Sequence, residues 1–415
     1  MDRTSCGGAV KAFVAGCSVA AVVLTALPSL AATSSGKKRE ATARKGTAKK
    51  SPVAKKKISP PSVVIPDDPE YPLDKEGRLL ATELGGLWTR DPGRLVSVLQ
   101  SAAKEQEAAV PLTLMLAIAH AETNGRILLV SEAGAVGLAQ ATPIAYLEER
   151  LEGRLYVTES YVTGAWAYFL KKPLNDAERV TKMLLDSADA RQTARAKELL
   201  HAAFRYRSEG LAELELLEPY AAAGFVEKVR RTDTENREML EQLESMIEAN
   251  ASRDELQAFH DAAQKRYREL RDIQRASWKR YQEELMAERD NLLRKTYGGD
   301  PAVVIKTRAY EASEMLAREL DDRFSPRSMA SFLVRHLHTK LEEARALGFG
   351  ESDLERMTAG LYNGGAHNVK RMIAGLIGNL PETQNYMRKV PATRQRLDRV
   401  LADAQTPAAA RQTGS

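Results

Sequence analysis

The amino-acid sequence predicts a mainly α-helical protein. Apolar residues recur every three or four positions through most of the chain after Pro69, which is the spacing of one helix face. Residues 112–119 are apolar almost all round, as expected for a helix buried in a core. Residues 176–297 are rich in charge and poor in glycine, which is typical of long helices with a solvated face. A chain of 415 residues has room for two or three domains.

The first segment, residues 1–32, has the pattern of a secretion signal. Two basic residues precede an apolar run at 12–27, and small residues follow it. We therefore expect an exported protein of the periplasm or cell envelope. Two alternatives stay open: retention of the run as a membrane anchor, and a lipid attached at Cys17. Cys6 also lies in this segment, so the mature chain would have no disulfide and no cysteine-bound metal.

Residues 33–66 predict a disordered basic linker, because they are rich in Lys, Ala, Ser and Pro. Residues 33–57 carry a net charge of +9, whereas the whole chain carries +5 and the part after residue 57 carries −5. The linker could attract an anionic envelope surface, or it could serve only as a solvated tether. Nucleic acid is not expected as a partner of an exported protein.

Folded structure is expected from residue 67, with helical patterns at 79–87 and 95–109 before the apolar helix. Pro111 suits the first turn of that helix, and Asn124-Gly125 provides its end. Glu122 lies in the last turn, on the same side as buried positions such as Met115 and Ile118.

Glu122 is the candidate general acid. Desolvation and the negative end of the helix dipole both disfavour its charged form, and a carboxyl with a raised pKa can donate a proton near neutral pH. The alternative is an ordinary surface glutamate at a frayed helix end.

Three ordered motifs accompany Glu122. SEAGAVGLAQATP occupies Ser131–Pro143, LYNGG occupies Leu361–Gly365, and LPETQNY occupies Leu380–Tyr386. Together with a glutamate that closes an apolar helix, they resemble the soluble lytic transglycosylase family. That resemblance implies a goose-type lysozyme-like fold that cleaves the glycan strands of peptidoglycan.

The resemblance also implies the roles of the site residues. Glu122 would act as the sole acid and base, without metal or cofactor, and would leave 1,6-anhydro-N-acetylmuramic acid ends. Substrate-binding or orienting roles would fall to six residues: Thr123, Ser131, Gln140, Tyr362, Asn363 and Tyr386. Among these, the Tyr362 hydroxyl would contact Glu122. The sequence departs from the family pattern where Thr123 replaces a serine, Ala139 a methionine and Leu361 an alanine.

The gap between the motifs is far longer than in the family, so residues 156–302 are predicted to be a helical insertion. An amphipathic run at 226–249 and a capping box at Ser252 and Glu255 indicate two consecutive helices, the second about 40 residues long. We expect a hairpin resembling a coiled coil that folds separately and regulates access or recruits a protein partner. Its aromatic start, 156–174, could instead line the cleft or pack as a core helix.

The catalytic domain would thus consist of residues 67–155 and 303–404, followed by a loose tail at 405–415. A hydrolytic muramidase on the same fold is one alternative, and it would need a second carboxylate such as Glu132 or Glu148. A non-catalytic peptidoglycan-binding or scaffold protein is the other. The histidines near Glu122 and in the 336–338 pair lack further ligands at metal-binding spacing, so no metal is predicted.

The basic linker is expected to add salt-sensitive affinity for anionic envelope material. A shortened chain that starts at Asp67 should sediment less with isolated sacculi and anionic vesicles than the chain from residue 33 at low salt. The difference should fade toward 1 M salt, where the screening length falls from about 10 Å to about 3 Å. Equal sedimentation of both chains at low salt would leave the linker as a tether only.

Overall fold

The protein is almost entirely helical. The computed structural model describes residues 72–88, 91–105, 110–187, 189–378 and 380–405, and these ranges contain no β-strand. This confirms the predicted mainly α class. The described residues all belong to one compact unit.

The predicted secretion signal, basic linker and most of the C-terminal tail lie outside the described residues, so they remain predictions. None of the helices within those ranges is both long enough and apolar enough to cross a bilayer.

Fifteen α-helices and two short 3₁₀ helices make up the described chain. The first seven α-helices are α1 Lys75–Gly85, α2 Pro92–Glu105, α3 Leu112–Thr123, α4 Pro143–Glu148, α5 Glu159–Leu170, α6 Lys172–Asp186 and α7 Ala190–Glu215. The next four are α8 Phe225–Glu248, α9 Arg253–Tyr297, α10 Pro301–Thr307 and α11 Ala309–Glu319. The last four are α12 Pro326–Ala346, α13 Glu351–Gly364, α14 Ala366–Ala374 and α15 Pro381–Gln405. The 3₁₀ helices are Glu218–Tyr220 and Asp322–Phe324.

Helix termini follow the local sequence signals closely. The Ser252 hydroxyl accepts a hydrogen bond from the Glu255 backbone N–H (3.3 Å), and the Glu255 carboxylate accepts one from the Ser252 N–H (2.8 Å). This capping box opens α9, which ends 45 residues later at Gly298, a left-handed residue with φ of 69°. Asn124, with φ of 53°, ends α3 in the same way. The predicted boundaries of both helices are therefore confirmed to within a few residues.

Two hydrophobic cores organise the compact unit. The larger core contains the buried side of α3 and receives residues from both predicted halves of the catalytic domain. A second core lies among α6, α7, α8 and the first part of α9, with Leu199, Leu243 and Phe259 as members. Helix α9 belongs to both cores, because Tyr281 and Leu285 in its second half are fully buried in the larger one. At about 1.5 Å per residue, its length allows this span.

The expectation that residues 156–302 fold separately does not match this packing. Helix α9 packs most closely on α5 and α6, and much less on α8, so the arrangement is a multi-helix bundle rather than a two-helix hairpin. The aromatic helix α5 is a core helix, since Tyr161, Trp166 and Phe169 are buried. Sequence spacing could not show this, because an amphipathic stripe specifies a buried face but not the surface that covers it.

The loop at residues 131–143 is secured by residues from distant parts of the chain. The Arg323 guanidinium is fully buried and donates to the carbonyl oxygens of Gly134 (2.9 Å) and Ala141 (3.0 Å). A Cβ atom at Gly134 would overlap the ring of Tyr281, and one at Gly137 would overlap the Arg323 carbonyl oxygen. Both glycines also have positive φ, 72° and 76°, as the sequence predicted for turn positions.

Gly137→Ala should therefore destabilise the protein more than Gly298→Ala. Both positions have left-handed backbone, but Gly298 has open space where Gly137 meets Arg323. We expect a loss of about 1–2 kcal/mol in the free energy of unfolding for Gly298→Ala, and at least about 3 kcal/mol for Gly137→Ala. Urea denaturation of the two variants measures this. Equal losses would show that the loop can move away from Arg323 at little cost.

Candidate active site

Glu122 lines a cavity of about 820 Å³, a size common for ligand sites. It lies in the last turn of α3, and its side chain stays partly exposed although the helix around it is buried. Predicted site residues on the same cavity are Ser131, Gln140, Tyr362 and Asn363. Segments separated by more than 200 residues in sequence therefore meet at one site.

The pKa of Glu122 is raised from the usual 4.5 to about 7. Desolvation is the largest cause, and the negative charge of Glu382 on the same cavity raises the pKa further. A hydrogen bond from Tyr386 and the positive charge of Lys389 act in the opposite direction. Near neutral pH the carboxyl is thus divided between its protonated and charged forms, which suits a group that must both donate and accept a proton.

Tyr386, rather than Tyr362, is the tyrosine that lowers the pKa of the Glu122 carboxyl. Its buried hydroxyl acts on the carboxyl without meeting the geometry of a formed hydrogen bond. The Tyr362 hydroxyl donates instead to the Ala139 carbonyl oxygen at 2.6 Å. The two tyrosine rings lie nearly parallel, 6.4 Å apart between centroids. Tyr362 thus connects α13 to the 131–143 loop, and its hydroxyl does not make the contact with Glu122 that the resemblance implied.

Ser131 and Gln140 line the cavity while fixing the loop. The Ser131 hydroxyl accepts a hydrogen bond from the Ala135 N–H (2.9 Å). The Gln140 amide donates to the carbonyl oxygens of Gly137 (3.0 Å) and Leu129 (3.2 Å). Gln140 also has positive φ, 48°, which is uncommon for a residue with a side chain and often marks a functional position.

Asn363 and Thr123 have mainly positioning contacts. The Asn363 side-chain oxygen accepts from the Thr383 hydroxyl (3.0 Å), which connects the second motif to the third. The Thr123 hydroxyl is buried and lies within hydrogen-bond distance of the carbonyl oxygens of Ala119 and Leu138. Thr123 does not line the cavity, so it can orient the loop but cannot touch a ligand there.

Several carboxyl groups in the cavity were not assigned from the sequence. They comprise Glu149, Glu209, Glu213, Glu343 and Glu382, and they join Glu132 and Glu148, which the sequence had named only as neighbours of the motif. The pKa of Glu148 is raised to about 7, chiefly because surrounding protein displaces water and then because Glu213 repels its charge. No motif links these residues, and only the tertiary fold brings them together.

The histidines near the motifs have protein partners. The Trp88 indole N–H donates to His120 Nδ1 (3.1 Å). His336 Nδ1 lies 2.7 Å from Glu149 Oε1, and its ring packs edge-on against Tyr362. Among the described residues, no group of three His, Cys, Asp or Glu is arranged to hold a metal ion.

The site can deliver and reclaim a proton at one carboxyl inside a polar cavity. Comparison with protein-family models, with curated proteins and with solved structures finds no match for this chain.

The raised pKa of Glu122 makes stability depend on pH. Between about pH 4.5 and 7 the unfolded carboxyl loses its proton while the folded one keeps it, so rising pH disfavours folding. Glu122→Gln should therefore gain stability relative to the unchanged protein as pH rises from 4 to 8, by up to about 3 kcal/mol.

Urea denaturation of both proteins at pH 4 and pH 8 measures this difference. Glu132→Gln, which alters an exposed carboxyl on the same cavity, is the matched control and should show little change with pH. A constant difference between Glu122→Gln and the unchanged protein would mean that Glu122 titrates normally in the fold.

Proposed function

We propose that the protein is a lytic transglycosylase that cleaves the bond between N-acetylmuramic acid and N-acetylglucosamine in peptidoglycan. The observation that carries the proposal is the Glu122 carboxyl, which has a pKa near 7 and faces a cavity shared with Ser131, Gln140 and Asn363. The order of these residues resembles the family pattern, and their convergence on one cavity supports the proposal. On this basis the catalytic domain is lysozyme-like, and the helices of residues 156–302 enlarge it.

In the proposed reaction, protonated Glu122 gives its proton to the oxygen that bridges the two sugars. The bond from that oxygen to the muramic C1 breaks, and the carbonyl oxygen of the 2-acetamido group stabilises the positive charge at C1. The Glu122 carboxylate then takes the proton of the muramic C6 hydroxyl, and the C6 oxygen forms a bond to C1. The products are a free N-acetylglucosamine hydroxyl and a 1,6-anhydro ring, and no water is consumed.

Tyr386 and Glu382 support this cycle in opposite ways. The Tyr386 hydroxyl favours the carboxylate that must reclaim the proton, whereas the charge of Glu382 favours the protonated form that begins the reaction. Desolvation remains the largest cause of the raised Glu122 pKa, and these two residues adjust it in opposite directions.

Hydrolysis by a muramidase is the second candidate. Glu132, Glu148 and Glu382 all line the Glu122 cavity, and a second carboxylate could activate water. We also propose that the protein is exported and acts on glycan strands in the cell envelope. This location is compatible with both lytic and hydrolytic cleavage.

Glu122→Gln should lower turnover of purified sacculi by at least about 10²–10⁴-fold, because the amide cannot donate and reclaim a proton. Mass spectrometry of the muropeptides released by the unchanged protein should find 1,6-anhydro ends that resist borohydride reduction. Reducible ends would identify a hydrolase. Robust cleavage by the Glu122→Gln protein would show that another group is the acid.

Two matched tyrosine variants distinguish a hydroxyl that acts on Glu122 from one that only stabilises the fold. Tyr386→Phe removes the hydroxyl that interacts with Glu122, so it should shift the pH profile of kcat/KM as well as lower activity. Tyr362→Phe removes the hydrogen bond to Ala139, so it should lower stability without shifting that profile. A shifted pH profile for Tyr362→Phe and an unchanged one for Tyr386→Phe would show that Tyr362 is the residue that orients Glu122.

A further inference from the structure

A second cavity of about 530 Å³ adjoins the Glu122 cavity. Tyr168, Lys172 and Asn368 line both, so the two cavities share a wall. The second cavity, called the basic pocket below, lies among α6, α9 and the segment around α14. Its charged lining residues are Lys171, Lys172, Glu178, Arg179, Lys182 and Arg371.

Positive charge in the basic pocket exceeds the negative charge that faces it. Arg371 forms a buried ion pair with Asp176, and Glu178 accepts a hydrogen bond from Gln264 (3.1 Å). Within the described part of the chain, Lys171, Arg179 and Lys182 form no ion pair. These three cations therefore add to the positive charge of the pocket, whose lining includes a single carboxylate, that of Glu178.

Lys171 is held in place rather than free to move toward solvent. Its ammonium group hydrogen-bonds to the Gln274 side-chain oxygen and lies 5.4 Å and 5.9 Å from the ring centres of Tyr168 and Tyr267. Its pKa is lowered to about 8, chiefly by burial and then by the positive charges of Arg275 and Arg271. Concentrating cations in a concave site is unfavourable unless an anion shares it.

Lys172 lies in the wall that the two cavities share. It is almost fully buried, with its ammonium group 4.1 Å from the Tyr168 ring centre and 3.0 Å from His367 Nδ1. Within the basic pocket, Ile377 and Leu380 provide an apolar edge. Cations beside aromatic and aliphatic surface suit an organic anion better than a small inorganic one.

We propose that the basic pocket binds the carboxylate groups of the peptides attached to a glycan strand whose sugars occupy the Glu122 cavity. This inference rests on the proposed function. The peptide is attached to the same sugar whose C1 reacts, so it leaves the cleft close to the cleavage point. Its free carboxylates match the unpaired cations, and its short apolar side chains match Ile377 and Leu380.

Binding to glycan fragments of one length, with the peptide or with the peptide removed by an amidase, tests this inference. The full chain with Glu122→Gln serves as the parent protein, because it should hold both fragments without cleaving them. Calorimetry should find tighter binding of the peptide-bearing fragment. Adding Arg179→Gln and Lys182→Gln, both exposed on α6, should remove this gain of roughly five- to tenfold and leave binding of the peptide-free fragment unchanged.

A matched control removes the same two charges elsewhere. Arg191→Gln with Lys197→Gln changes exposed residues of α7 that line neither cavity, and it should keep the gain. Loss of the gain in this control would show a general charge effect and overturn the inference.

The remaining outcomes separate the inference from the proposed function. Equal binding of both fragments by the parent protein would overturn the basic pocket's role and leave the proposed function intact. Failure of both fragments to bind would overturn both. Inorganic phosphate is the third probe: if it binds through Arg179 and Lys182 while the peptide brings no gain, the pocket is a phosphate site instead.

Discussion

The guanidinium of Arg323 is the interaction on which the candidate site depends most. It is fully buried beside Asp321, and all five of its N–H groups can be assigned: to both Asp321 oxygens, to the carbonyls of Gly134 and Ala141, and to the Tyr281 hydroxyl. A buried ion pair is stabilising only when the remaining donors are satisfied in this way, and removal of one partner would leave an unpaired charge in the core. The geometry of the 131–143 loop is therefore coupled to the integrity of this pair.

The same interaction joins the long helix α9 to the candidate site. Tyr281 accepts from Arg323, donates to the Tyr156 carbonyl oxygen (2.7 Å), and packs its ring where Gly134 has no side chain. Further along α9, Arg289 donates to the Leu128 carbonyl oxygen (3.1 Å). Because the loop carries Ser131 and Gln140, the helices of residues 156–302 act as a supporting wall of the site. Contacts from these helices can hold the loop in a conformation that keeps Gln140 at its positive φ, which is unfavourable for a residue with a side chain.

The sequence predicted those features that depend on neighbouring residues. The helical class, the capping box at Ser252, the stop at Asn124 and the raised pKa of Glu122 all follow from signals within one or two helical turns. Features that depend on distant pairs were missed or assigned wrongly. Arg323 had no motif to mark it, the Tyr362 hydroxyl bonds the loop instead of Glu122, and α5 and the second half of α9 joined the larger core. In each case the partners are separated by well over 100 residues, a relation that periodicity and capping do not encode.

The two neighbouring cavities differ in charge, and this difference connects the proposed chemistry to the proposed recognition. Carboxyl groups crowd the Glu122 cavity, where their mutual repulsion and burial favour protonated forms. A substrate carboxylate placed among them would raise that repulsion, whereas the uncharged sugars of a glycan would not. In the basic pocket the sign reverses, and a carboxylate there would meet an excess of positive charge. If the peptide carboxylates bind in the basic pocket, their negative charge stays away from Glu122. The Glu122 carboxyl then keeps its raised pKa while the strand is bound.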